Sequence, residues 1–131
     1  MADKQTVSDA ELELLKELWI ASPLTSRELI DRLRLRTDWG EPTVKTLLLR
    51  LLRKKAVRRE LRGKTFVYAA AVGRDEYRCS VGRSLIDRLF DGEAGDLLSC
   101  LLRNGAVRPG ELAELRRLLT EKKDADGKSR A

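Results

Sequence analysis

Leu12, Leu15 and Trp19 recur at i, i+3 and i+7, and Leu14 and Leu18 widen the stripe, a spacing that predicts an amphipathic helix. Ser8 and Glu11 stand at capping-box spacing at its start, and Pro23 follows its end, so the helix is expected over residues 9–21. Thr25 and Glu28 repeat the capping-box spacing ahead of Leu29, Ile30 and Leu33, which predict a short second helix ending near Arg36. Beyond the turn residues 37–40, Pro42 sits where a helix tolerates a missing amide. Val44, Leu47, Leu48 and Leu51 then recur at i, i+3, i+4 and i+7, giving a third helix to about Lys55.

The pattern next changes to strand-like segments, Val57-Arg58-Arg59-Glu60-Leu61 and Thr65-Phe66-Val67-Tyr68, with Arg62-Gly63-Lys64 between them. These predict a β-hairpin with a basic tip. Three helices and a hairpin, with a turn joining the second and third helices, make a winged helix-turn-helix, expected over residues 1–73. Past Gly73 the period is helical again, with Val81, Leu85 and Leu89 on one face and Cys79, Ile86 and Phe90 beside it; Asp91-Gly92 interrupts it. A nearly all-apolar helix follows over residues 97–102, and Pro109 opens a last one carrying Leu112, Leu115, Leu118 and Leu119. The expected fold is mainly α with a small β-hairpin wing, a helical dimerisation segment over residues 74–120 and a flexible tail over residues 121–131. The segment 74–120 is too short to form a stable core alone, so its apolar faces need a partner. Packing onto the wing domain would cover them, and so would a second copy of the segment, the arrangement in which Val81, Leu85, Leu89, Leu97, Leu101, Leu115 and Leu119 form the interface.

The formal net charge of +6 matters through its placement. Residues 32–64 hold twelve Lys and Arg against Asp38, Glu41 and Glu60, whereas residues 75–119 hold seven basic and eight acidic side chains. A clustered surplus of cations suits a polyanionic partner, which an even scatter would not. No apolar run approaches the roughly 20 residues that span a bilayer, and residues 1–8 have no hydrophobic stretch resembling a secretory signal, so a cytoplasmic location is expected. The chain has no His, and Cys79 and Cys100 are isolated, so no metal site or cofactor is expected and both thiols are expected in the core. Absence of His also removes the commonest general base. Asp38 with Glu41 is the nearest carboxylate pair, but both flank a helix start where acidic residues serve as dipole partners, so no enzyme is expected.

With four apolar residues facing inward, the third helix leaves Thr43, Lys45, Thr46, Arg50 and Arg53 along its outer side. Lys and Arg donate to guanine O6 and N7 in the major groove, and a Thr methyl meets the thymine methyl, so Thr43, Lys45, Thr46 and Arg50 are the candidate base readers. Arg53, Lys54, Arg58, Arg59, Arg62 and Lys64 are the candidate phosphate contacts, giving affinity without sequence information. The alternative is a winged-helix protein-protein interaction module presenting Leu49 among those cations. Trp19 belongs to the apolar stripe and is expected in the core; Trp39 either packs under the third helix or touches the sugar-phosphate backbone.

Ser8 with Glu11, Leu18-Trp19, Trp39 followed by Thr43-Val44-Lys45-Thr46-Leu47, Arg50-Leu51, Lys54-Lys55, Tyr68, Phe90, Gly92, and Glu111-Leu112 with Leu115 form a pattern along nearly the whole chain. In these residues the chain resembles the penicillinase repressors of the BlaI/MecI/CopY type, the Thr-Val-Lys-Thr-Leu run after a Trp being the most specific part. Gly40-Glu41-Pro42 replaces the small polar residues usual at that helix start, and Ala56 stands where the family often has Gly. The resemblance implies a homodimeric repressor of transcription that binds double-stranded, pseudo-palindromic operator DNA through the third helix. It also implies release when a membrane-linked sensor protease cuts the C-terminal segment, the bond falling near Cys100-Leu101, where antibiotic-response members have Asn-Phe. The clustered C-terminal cysteines of the copper-responsive members are absent, so copper sensing is not expected.

Overall fold

The computed structural model describes residues 6–130. Helix α1 spans Asp9–Ile20, and the Ser8–Glu11 capping box forms in both directions: the Glu11 amide donates to Ser8 Oγ at 3.1 Å and the Ser8 amide to Glu11 Oε1 at 2.9 Å. Helix α2, Ser26–Leu33, starts from the same device at Thr25 and Glu28. It ends earlier than the apolar spacing predicts, because residues 34–36 continue as turn. Helix α3, Glu41–Arg53, begins with Pro42 in its first turn. It closes on Lys55, a non-glycine residue at φ 63°, while the Ala56 amide donates back to the Leu51 carbonyl at 3.0 Å and that of Lys55 to Leu52 at 3.0 Å. That is the paired reverse bonding of a Schellman motif, with lysine in the left-handed position that glycine usually takes.

The wing is built from β2, Val57–Arg62, and β3, Thr65–Ala70, antiparallel with Arg62 opposite Thr65. Gly63 and Lys64 therefore form a two-residue turn. Of the two, Gly63 has the positive φ, 63°, and glycine at the first central position is what a type II′ hairpin turn requires. A third strand, β1, Leu24–Thr25, pairs with the free edge of β3, so the sheet order is β1-β3-β2. The hairpin expected from the sequence is thus part of a three-stranded sheet.

The core is confined to this part of the chain. Leu14, Leu15, Leu29, Leu33, Val44 and Leu51 are completely enclosed where α1, α2 and α3 meet, and Val57 closes the cluster from β2. Trp19 and Trp39, both partly buried, pack against its edge. Trp19 Nε1 also donates to the Val72 carbonyl at 2.9 Å.

Two charged residues lie inside with the leucines: Glu11, 2% exposed, and Glu17, 4% exposed. Glu17 accepts from Arg32 Nε at 2.7 Å and Arg36 Nη1 at 2.6 Å, joining α1 to the C-terminal end of α2. Glu11 accepts from Lys54 Nζ at 2.6 Å, joining α1 to the C-terminal end of α3. Burial pushes both carboxyl groups upward, but the paired cations, and at Glu11 the Ser8 amide, outweigh it and hold both below their ordinary value.

Helix α4, Arg74–Leu89, is shared between two compact units, Met1–Gly82 and Arg83–Ala131, so its first turns belong with the N-terminal unit and the division falls later than residue 73. Tyr77 is the reason. Its hydroxyl accepts from the Val7 amide at 3.0 Å and its ring lies 5.9 Å from that of Trp19. With Tyr77 and Val81 one turn apart on the α1 side, Cys79 falls on the opposite side and is exposed, contrary to its expected burial; Cys100 is half-buried.

The second unit contains the end of α4, then α5, Ala94–Arg103, and α6, Pro109–Arg130. Asp91 and Gly92, both at positive φ, separate α4 from α5. Helix α6 continues past Thr120 through the stretch expected as a tail, supported locally by ion pairs of Arg117 with Glu114 and Glu121; residue 131 lies outside the described residues. No described residue of this unit is buried, and Leu89, Leu98, Leu102, Leu118 and Leu119 are exposed.

Lys54→Met should destabilise the protein by about 3 kcal/mol at neutral pH, since it leaves Glu11 buried without its cation. In the native chain the depressed Glu11 pKa contributes stability above its ordinary 4.5, lost as pH falls through the lower folded value. In the variant the Glu11 pKa rises relative to the native chain, because burial is then opposed only by the Ser8 amide and Arg50, so protonation costs the variant less. Denaturant unfolding from pH 7 downward should therefore show the gap between the two proteins narrowing toward acid; a constant gap would contradict the pairing.

Candidate nucleic-acid interface

Helix α3 packs on α1, α2 and β2, and this contact uses the side formed by Val44, Leu47, Leu48 and Leu51. Thr43, Lys45, Thr46, Arg50 and Arg53 are all exposed on the remaining side. The division follows from the 3.6-residue period: four apolar positions cluster within one stripe, and the polar ones have no place in it. Lys45 Nζ lies 2.8 Å from Glu41 Oε2 one turn earlier, a fully solvated pair in which the Glu41 carboxylate raises the Lys45 pKa and the Lys45 ammonium lowers that of Glu41. Among the described residues Arg50 and Arg53 have no ion-pair partner.

The wing carries the next group. Arg58 Nη1 donates to the Ala70 carbonyl at 3.0 Å, and the Arg59 guanidinium sits 4.1 Å from the Phe66 ring centroid, an arrangement that orients the cation without neutralising it. Arg62 lies 3.5 Å from Glu60, and Lys64 projects from the turn without an ion-pair partner among the described residues. Lys54 differs from the other expected phosphate contacts. Its ammonium is occupied by Glu11 and by the Thr6 carbonyl at 3.2 Å, which gives it a structural task.

Spacing alone did not reveal the buried carboxylates. Glu17 precedes Leu18 and follows Leu14 by three residues, so it lies on the same stripe as the core leucines; that position, opposite the arginines of α2, was the available signal. Glu41 also escaped notice as a partner of Lys45, although the two stand at i and i+4.

The expected interface leucines are placed differently from one another. Val81 lines a groove between α1 and the first turns of α4, with Leu12, Trp19, Ile20 and Tyr77. Leu85, Leu97, Leu101 and Leu115 are half-buried, while Leu89 and Leu119 are about two-thirds exposed, at 66% and 65%. Cys100 and Leu101 lie within α5, so the bond between them is helical and does not fall in the connection between helices.

With exposed donors along α3 and the wing, this surface suits an extended anionic partner. Among the described residues no cluster of Cys, Asp and Glu has the arrangement to hold a metal ion, and no helix is long and apolar enough to cross a membrane.

Comparison with known proteins matches residues 7–121 to the penicillinase repressor family. The chain is 31% identical over 118 residues to the penicillinase repressor of Bacillus licheniformis, covering 90% of this chain and 92% of that protein. It is 24% identical over 116 residues to the methicillin resistance regulatory protein MecI of Mammaliicoccus sciuri, covering 88% and 94%. Among solved structures it is similar to the DNA-binding domain of the repressor BlaI, with a TM-score of 0.52 and 35% identity over 59% of this chain and 94% of that one. It is similar also to monomeric Bacillus licheniformis BlaI in complex with the blaP half-operator, with a TM-score of 0.50 and 35% identity over 56% and 90%.

Proposed function

The chain belongs to the penicillinase repressor family, and from that membership we propose that it is a DNA-binding transcriptional repressor whose α3 lies in the major groove while the wing follows flanking phosphates. The observation that carries this reading is the two-sidedness of α3: an entirely buried apolar face sets an exposed face of Thr43, Lys45, Thr46 and Arg50 at a fixed angle to the wing domain. A reading helix must be held this way, because base-edge hydrogen bonds require defined geometry. Members of the family are repressors of transcription and not enzymes. Arg53, Arg58, Arg59, Arg62 and Lys64 are the proposed phosphate contacts, with Lys54 reserved for Glu11.

The protein acts as a homodimer on a pseudo-palindromic operator in the cytoplasm. Support for the dimer comes from the second unit, which exposes leucines on all three helices and encloses none of its described residues. A second copy of the same faces supplies the missing core, and two-fold pairing places two α3 helices on one side of the duplex, whole helical turns apart. Separation of the subunits then empties the operator, since two linked half-site contacts gain avidity only while joined. Cutting by a membrane-linked sensor protease at Cys100-Leu101 is one way to separate them. The bond's place within α5 adds a requirement: that helix has to open locally before a protease can reach it.

Salt titration against duplexes selected from a random library should give a log-log affinity slope of about −5 to −9, from roughly 6–10 phosphate contacts per dimer. Arg62→Ala and Lys64→Ala should weaken selected and random duplexes alike and flatten that slope, while Lys45→Ala and Thr46→Ala should lose preference for the selected sequence. Equal losses from both classes would place the wrong residues in the groove.

Removing residues 83–131 should yield a folded monomer with much weaker DNA binding, because Tyr77 and its contacts are retained. Sedimentation of that shortened chain as a dimer would contradict the interface assignment.

A further inference from the structure

Beyond Pro42 in its first turn, the exposed side of α3 has one member with no polar side-chain atom. Taking about 100° per residue, Leu49 lies within roughly 30° of the line directly opposite the buried stripe, as central as Thr46. Its helical neighbours are Lys45 and Thr46 on the preceding turn and Arg53 with the partly buried Leu52 on the next, and it is 48% exposed. A single exposed leucine is ordinary on a protein surface. A leucine at the centre of a cationic reading face is a more specific arrangement, because every base-edge group opposite it meets either its methyls or nothing.

We propose that Leu49 is a specificity-determining residue that selects a T·A pair in each half-site by packing on the thymine C5-methyl. The inference rests on the proposed placement of α3 in the major groove. In that groove the base edges present hydrogen-bond donors and acceptors, and the thymine methyl is the one apolar group among them. Leucine gains by covering it. Against guanine, cytosine or adenine edges the same side chain strips water from polar atoms and returns no hydrogen bond, which is unfavourable. Discrimination therefore comes from both attraction to the methyl and rejection of the alternatives. Lys45 and Arg53, one turn to either side, hold the helix against the duplex so that the leucine cannot swing away.

The full-length chain and its Leu49→Ala variant should each be put through selection from a random duplex library, followed by replacement of each selected thymine with deoxyuridine, which removes only the methyl. The native chain should select one thymine per half-site that the variant no longer selects. Deoxyuridine there should weaken native binding about fourfold per half-site, the effect of returning one methyl to water, and leave the variant unchanged. Equal deoxyuridine effects on both proteins, or none on either, would overturn the role of Leu49; if Lys45→Ala still relaxed preference, the groove placement of α3 would stand. Failure of the native chain to select any sequence would overturn the groove placement and this inference with it.

Discussion

Two carboxylates on one helix hold the N-terminal unit of this protein in shape. Glu11 and Glu17 on α1 are buried, and each is tied to the C-terminal end of another helix, α3 through Lys54 and α2 through Arg32 and Arg36. Such pairs add little net stability compared with well-packed apolar residues, because removing the ions from water offsets much of their attraction. Their value is in what they forbid. A shift of α3 along α1 would leave Glu11 buried without Lys54, at a cost of several kcal/mol, so the helix has one position in which both its leucines and its terminal charge are satisfied. Among the described residues no buried side-chain polar atom lacks a partner.

The same pairs change the meaning of the basic cluster. Of the twelve cations in residues 32–64, Arg32, Arg36 and Lys54 serve the carboxylates of α1, and Lys45, Arg58 and Arg62 each have a nearby acceptor. A charge surplus counted along the chain therefore overstates what is available to phosphates by the three cations that serve α1. Arg34 lies 3.7 Å from Asp31, and the cations that remain are Arg50 and Arg53 on α3, Lys55 at its end and, in the wing, Arg59, oriented by Phe66, and Lys64 at the turn.

Most of the fold was legible in the sequence because its signals are periodic or local. The α3 stripe, both capping boxes and the Gly63 turn each follow from spacing within a few residues. What escaped was non-local. Strand β1 has two residues, too few for any period, and exists because β3 has a free edge beside it. Stripe logic assigns glutamate to the outside, so Glu17 is recognisable as buried only once the arginines of α2 are brought opposite it. Likewise Tyr77 carries the first turns of α4 into the N-terminal unit through contacts with Val7 and Trp19, both distant in sequence. In the second unit the apolar faces were visible, but a face does not name what covers it, and the leucines of α5 and α6 stay exposed in the single chain.

The central claim is that the exposed face of α3, set by the buried carboxylates and leucines behind it, is the surface that meets DNA. Amide chemical-shift mapping of the full chain titrated with selected duplex tests it directly. The largest changes should fall on α3 from Thr43 to Arg53 and on the wing around Gly63, with the buried α1 positions little affected. Changes confined to α4, α5 and α6, with α3 unmoved, would contradict the claim.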